Sequence, residues 1–185
     1  EISACLVGSE MCIRDRFQFV REAELGPPEV PDEPGERPKT NANVETVDGS
    51  TWGHGDVESV RRNLGEAVGS QATGIKHVTV RPGDLAAPPH CHSHEEELFV
   101  VLAGDGDLLL GDEAFAMRAG HVVARPAGTG VAHTFRAAAE GLEFLAYGTR
   151  HPGDMCYYPR SNKISFRGLG VIARLEKLDY WDGEA

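Results

Sequence analysis

From Thr73 to Tyr147 the chain is a succession of short apolar runs, each closed by turn residues before it is long enough to make a packed helix. Residues 75–80 (IKHVTV) stop at Arg81-Pro82-Gly83-Asp84, a strong turn signal. Residues 97–103 (ELFVVLA) are apolar on both alternate faces, which predicts a strand covered on two sides. Gly104-Asp105-Gly106 and Gly111-Asp112-Glu113 read as two turns, leading into 107–110 and 114–118 and predicting two hairpins in succession. Residues 121–125, 131–136 and 142–147 supply three more strands around a 126–130 loop. Such a series predicts an all-β domain, either a sandwich or a barrel. The one helix expected is short and amphipathic, over 56–67, with Val57, Val60 and Leu64 on one face.

A chain of 185 residues holds one core of ordinary size, and the core does not draw on all of it. Residues 22–36 carry six acids and no base, and five of the eleven prolines fall between Pro27 and Pro38, so 17–40 reads as an acidic, extended leader. Residues 1–16 (EISACLVGSEMCIRDR) lack a signal peptide's basic start and resemble a translated adapter fragment, so they are expected to be non-native. An arm follows over 41–72, the barrel over 73–148, and an apolar carboxyl-terminal arm over 149–185 that should pack on the barrel or on a partner. The net charge of -11 argues against nucleic acid, and no apolar run reaches the ~20 residues that span a bilayer. With Cys91 and Cys156 far apart and in no CxxC spacing, a reducing cytoplasmic setting is expected.

Three of the eight histidines fall within five residues, in Pro89-His90-Cys91-His92-Ser93-His94-Glu95-Glu96-Glu97. In extended chain His90 and His92 share a face, and a bend between Ser93 and Glu96 is needed to bring Glu97 to it. Beyond the bend, Glu97, Phe99 and Val101 would line the interior. His133 lies 36 residues past Glu97 and shares a strand face with Phe135. Two imidazoles from one strand start, one carboxylate and one returning imidazole form a mixed nitrogen and oxygen donor set suited to a divalent first-row metal. The competing reading is a solvated surface cluster. His94 reads as a rim residue, Cys91 as packing, and His54, His77, His121 and His151 as structural or exposed. Tyr147, Arg150, Tyr157 and Arg160 are assigned to packing and surface pairing.

The spacing also carries a family resemblance. Gly83, six residues, His90-x-His92, four residues, Glu97, six residues and Gly104 resemble the first motif of the cupin superfamily, with one extra residue before the first His. Gly120, five residues, Pro126-x-Gly128, four residues and His133 resemble the second, with a longer loop before its His. Tyr147-Gly148-Thr149-Arg150 and Tyr157-Tyr158-Pro159-Arg160-Ser161 are similar to flanks of bacterial single-domain cupins. The resemblance implies a jelly-roll β-barrel, a double-stranded β-helix, holding a divalent transition metal (Mn, Fe, Zn or Ni) on His90, His92, Glu97 and His133. Cupins host isomerases, dioxygenases, decarboxylases and non-catalytic sugar-binding modules, so the fold does not choose among them. The expectation is a metal-binding protein, an enzyme on a small oxygen-rich metabolite or a binding module, assembled as a homodimer.

Overall fold

The computed structural model describes residues 39–184. The readings of 1–16 and of 17–40, apart from Lys39 and Thr40, therefore lie outside the described residues, as do Cys5 and Cys12. Eleven strands follow in order: β1 (Ser50–His54), β2 (Val57–Arg62), β3 (Thr73–Val80), β4 (Cys91–His92), β5 (Glu97–Leu110), β6 (Glu113–Arg118), β7 (Val122–Arg125), β8 (His133–Thr149), β9 (Met155–Tyr158), β10 (Lys163–Phe166) and β11 (Val171–Arg174). One short helix, α1 (Leu64–Ala67), interrupts them.

They form two antiparallel sheets. The larger runs β1-β2-β3-β8-β5-β6, with β7 paired to the first part of β5; the smaller runs β11-β10-β9-β4. A pair of backbone hydrogen bonds between His90 and His133 joins the entrance of β4 to the start of β8. The expected all-β barrel of jelly-roll type is thus present.

Three local expectations need correction. The helix expected over 56–67 is a strand over 57–62 and helical only over 64–67: Gly55-Asp56 turns β1 into β2, and burial then alternates, with Val57 and Ser59 inside. Period two won over a weak period of 3.6 because Ser59 and Arg61 are polar residues that the inner face can satisfy. Ser59 donates to the Ala86 carbonyl at 3.1 Å, and Arg61 donates to the same oxygen at 2.7 Å.

Second, Gly104-Asp105-Gly106 is not a hairpin turn. β5 runs on through it, with register shifts against β8 at Val101/Ala103 and Gly104/Gly106. A Cβ on Gly104 would meet the Gly141 carbonyl oxygen at 2.1 Å, and one on Gly106 the Arg136 oxygen at the same distance. The glycines bend a continuous strand around the barrel, and of the two expected turns the one at Gly111 makes a hairpin, between β5 and β6. Third, 131–136 and 142–147 belong largely to one strand, β8.

Val78 and Val80 of β3, Phe99 and Val101 of β5, and Phe135, Ala137, Leu142 and Phe144 of β8 meet in the core, with Leu108 and Met117. Leu98 and Val100 face outward, as the alternation on β5 predicts. The arm beyond Gly148 contributes β9, β10 and β11. It closes the barrel beside β4, while Ile172, Tyr180 and Trp181 stay exposed. No helix among the described residues is long and apolar enough to cross a membrane.

Candidate metal centre

Each expected donor reaches the barrel interior from a different direction. His90 precedes β4, His92 ends it, the chain bends at Ser93-His94, and Glu97 opens β5 at the inward parity of Phe99. His133 opens β8 two residues before Phe135, with its ring against Phe99 at 5.5 Å between centroids. Glu97 Oε2 lies 3.2 Å from His133 Nε2, 3.6 Å from His92 Nε2 and 4.0 Å from His90 Nε2. All four side chains line one cavity of about 300 Å³.

The tautomers of two imidazoles follow from their partners. His90 Nδ1 donates to the Pro88 carbonyl at 2.8 Å, and His92 Nδ1 donates to Asp154 Oδ2 at 2.7 Å. A carbonyl and a carboxylate can only accept, so each ring turns Nε2 toward Glu97.

The fit to a metal can be tested on two buried atoms. His133 Nε2 and Glu97 Oε2 are shielded from solvent and stand 3.2 Å apart, yet they are too poorly aligned for a well-formed hydrogen bond and neither has another partner. Such orphans are costly. Donors about 2 Å from one first-row ion stand roughly 3–3.5 Å apart; His90, Glu97 and His133 bring their donor atoms within 4.8 Å of one another, while His92 joins a second such group with His90 and Cys156 and stands 3.6 Å from Glu97. The residues present fit a divalent cation, which would satisfy both orphans at once.

Residues 76–147 match the family model of the cupin domain. This region is a cupin domain. Among solved structures, the chain is similar to a provisionally named sugar phosphate isomerase from Acidithiobacillus ferrooxidans: 26% identity, TM-score 0.68, covering 76% of this chain and 97% of that one. A sugar phosphate isomerase of the cupin superfamily from Silicibacter pomeroyi is similar over the same shares, at 23% identity and TM-score 0.64. The polyketide cyclase RemF from Streptomyces resistomycificus shares the fold at 18% identity and TM-score 0.53, covering 78% of this chain and 92% of that one. A comparison with curated proteins finds no match.

The electrostatics of the cupin site follow from burial and partners. Burial, reinforced by the neighbouring His133, lowers His90 to about 4, so its ring is neutral at physiological pH. Burial would raise Glu97, but His133, His90 and His92 more than reverse this and hold it at about 2. Burial likewise opposes protonation of His92, yet Cys156, Glu97 and Asp154 together raise it to about 10. Without a cation, a proton takes the cation's place on His92.

Four residues of the cupin cavity were not singled out from sequence as functional. Asp154, buried, accepts from His92 and from the backbone amides of His94 and Glu95. Cys156 places Sγ 4.0 Å from His92 Nε2, whereas Cys91, expected to pack away from the donors, is buried outside this cavity. Arg61 and Lys76 line the wall that β2 and β3 contribute. The remaining histidines stay apart from the donors: His77 bonds Glu143 at 2.8 Å, His121 caps the backbone at Arg118, and His94 stacks on His151 at the rim. Arg160 pairs with Asp56 and Tyr157 donates to Asn162, while Tyr158, next in sequence, enters the cavity and stacks near His90.

Proposed function

We propose that His90, His92, Glu97 and His133 hold one divalent first-row metal, and that the protein is a metal-dependent enzyme acting on a small oxygen-rich metabolite. The observation that carries this reading is the unsatisfied pair, His133 Nε2 and Glu97 Oε2, buried at the convergence of four donor side chains. Four protein donors leave about two positions of an octahedral ion open, enough for a chelating hydroxy or keto oxygen pair. When bound, such an ion polarises a carbonyl or stabilises an enolate, and with iron it opens oxygen chemistry.

Isomerisation of sugar phosphates is the first activity to assay, because the Acidithiobacillus and Silicibacter proteins bear that name and this chain covers almost their full length. The remaining chain supports the reaction by orienting its donors through Pro88 and Asp154 and by lining the cavity with Phe99 and Phe144. The test is metal content of untagged protein. Near-stoichiometric metal in the wild type and its loss in His133→Ala, with the fold kept by circular dichroism, is the expected result. Equal metal in both overturns the four-donor site. Metal without turnover of sugar phosphates, keto acids or catechols in air shifts the reading to a binding module.

We also propose a homodimer built on the outer face of β5 and β7, where Leu98, Val100, Leu102 and Val122 are exposed together. A single 20 kDa species in gel filtration would contradict it. The free thiols of Cys91 and Cys156 suit a reducing compartment, and we place the protein in the cytoplasm.

A further inference from the structure

The cavity wall contributed by β2 and β3 carries charge that the donor site does not explain. On β3, Lys76 shares the inward parity of Val78 and Val80; on β2, Arg61 pairs with Val78 in register and faces the same way. Both line the cavity together with Trp52 and Tyr158. Arg61 is fixed there. Its Nε donates to Ser59 Oγ at 3.0 Å, its terminal nitrogen donates to the Ala86 carbonyl, and its guanidinium lies 3.6 Å over the Trp52 ring.

None of the acids lining the cavity forms an ion pair with Arg61 or Lys76. Glu95 accepts from Arg167, Asp154 accepts from His92, and Glu97 faces three imidazoles. The arginine and lysine ion pairs of the described residues engage Arg81, Arg160 and Arg167, and none reaches Arg61 or Lys76. Two cations in one half-buried cavity, repelling each other and drawn only at longer range by Glu97 without an ion-pair contact, are unfavourable on their own. Burial lowers the proton affinity of both, Arg61 to about 10. An entering anion relieves that cost, with the remaining N–H groups of Arg61 and the three of Lys76 available to it.

We propose that Arg61 and Lys76 form an oxyanion seat, which binds the carboxylate or phosphate of a small metabolite while its other oxygens face His90, His92, Glu97 and His133. The second clause rests on the metal-site reading above; the seat itself does not. The cavity volume of about 300 Å³ limits the ligand to a small metabolite.

The test uses the full chain, as purified and after chelator treatment, with inorganic phosphate and malonate as probes. Binding is read by calorimetry and by the rise in thermal unfolding temperature, and metal content is measured on the same samples. The expected result is binding in both forms of the wild type and weakening by about tenfold or more in Lys76→Met, with metal content unchanged. Lys76→Arg should restore most of the affinity. Ligand-free Lys76→Met should melt at or above the wild-type temperature, because an uncompensated charge has been removed; Lys76→Gln serves if the methionine variant does not fold. Tighter malonate assigns a carboxylate, tighter phosphate a phosphate. Equal affinity in wild type and Lys76→Met, or no binding of either probe, overturns the seat and leaves the metal reading intact. A protein free of metal that still binds anion through Lys76 does the reverse.

Discussion

The two ends of the barrel interior are built from the same strands and do opposite things. Along β5 the inward positions read Glu97, Phe99, Val101, and along β8 they read His133, Phe135, Ala137. Two residues along each strand, the interior changes from polar atoms without hydrogen bonds to three phenylalanines with centroids 4.9–5.9 Å apart. The apolar end satisfies itself on folding. The polar end is held in shape by that packing and by hydrogen bonds behind the rings, and in the proposed reading a bound cation completes it. The barrel thus separates what stabilises it from what it does with a ligand, across a distance of one strand repeat.

The largest effect should come from the apolar end. Phe135→Ala removes a fully buried ring in contact with Phe99 and Phe144, and should cost about 3–5 kcal/mol in chemical denaturation. If the two ends are separate in energetics, the loss is the same at every pH. The polar end should instead control how the stability of chelator-treated protein varies with pH. His90 titrates at about 4 in the fold against about 6.5 unfolded. Below 6.5 the unfolded chain takes a proton that the folded ring refuses, so stability present at neutrality is lost as pH falls toward 4. Glu97, held at about 2, extends the same loss below the ordinary carboxylate range. His92 works in the other direction: raised to about 10, it holds its proton in the fold, and that stabilisation disappears as pH climbs from 6.5 through 10. A maximum near neutrality is expected, with an acid limb on the order of 2–3 kcal/mol. His90→Gln should flatten the acid limb above pH 4 and His92→Gln the alkaline one. A Phe135→Ala profile that changes shape, instead of dropping uniformly, would break the separation.

The difference between the ends also explains what could be read from sequence. The fold was legible because a barrel repeats its signal: alternation on β3, β5 and β8, turns at Gly83 and Gly111, and the Gly104 and Gly120 spacing each say the same thing. The donor side chains were legible because histidines are rare and their parity fixes a face. Lys76 shares the parity of Val78 and Val80, but a single lysine in a strand carries no spacing or partner in sequence that separates an inward cation from an edge charge. Arg61 was hidden by the helical reading of 56–67, because only as a strand residue does it pair with Val78 and share the inward face of β3. Asp154 was out of reach. It lies 62 residues from His92, in the segment read as an arm, and only the pairing of β4 with β9 brings the two together. Gly104-Asp105-Gly106 misled for the opposite reason, since a bulge that bends a strand and a turn that ends one use the same residues.

Asp154 gives the finest test of how the polar end is held. Its two oxygens divide the work: Oδ1 accepts from the amides of His94 and Glu95 and from Ser93 Oγ, while Oδ2 accepts from His92 Nδ1. In Asp154→Asn the Oδ1 contacts can survive, so the bend before β5 and the global stability should change little. The atom facing His92 becomes an N–H donor. Two donors cannot share that hydrogen bond, so the neutral ring must change tautomer, accepting at Nδ1 and carrying its proton on Nε2. That proton occupies the lone pair aimed at the cavity. Metal affinity should then fall about 10–100-fold, the usual consequence of removing the partner that orients a histidine ligand, or about 1.4–2.7 kcal/mol. Competition with a chelator of known affinity measures the loss, and nitrogen-15 NMR of the imidazoles, recorded above pH 10 where the metal-free ring is neutral, reports the tautomer of His92 independently of any metal. A tautomer switch with unchanged metal affinity would remove His92 from the donor set. Loss of affinity without the switch would mean that Asp154 acts through its charge alone.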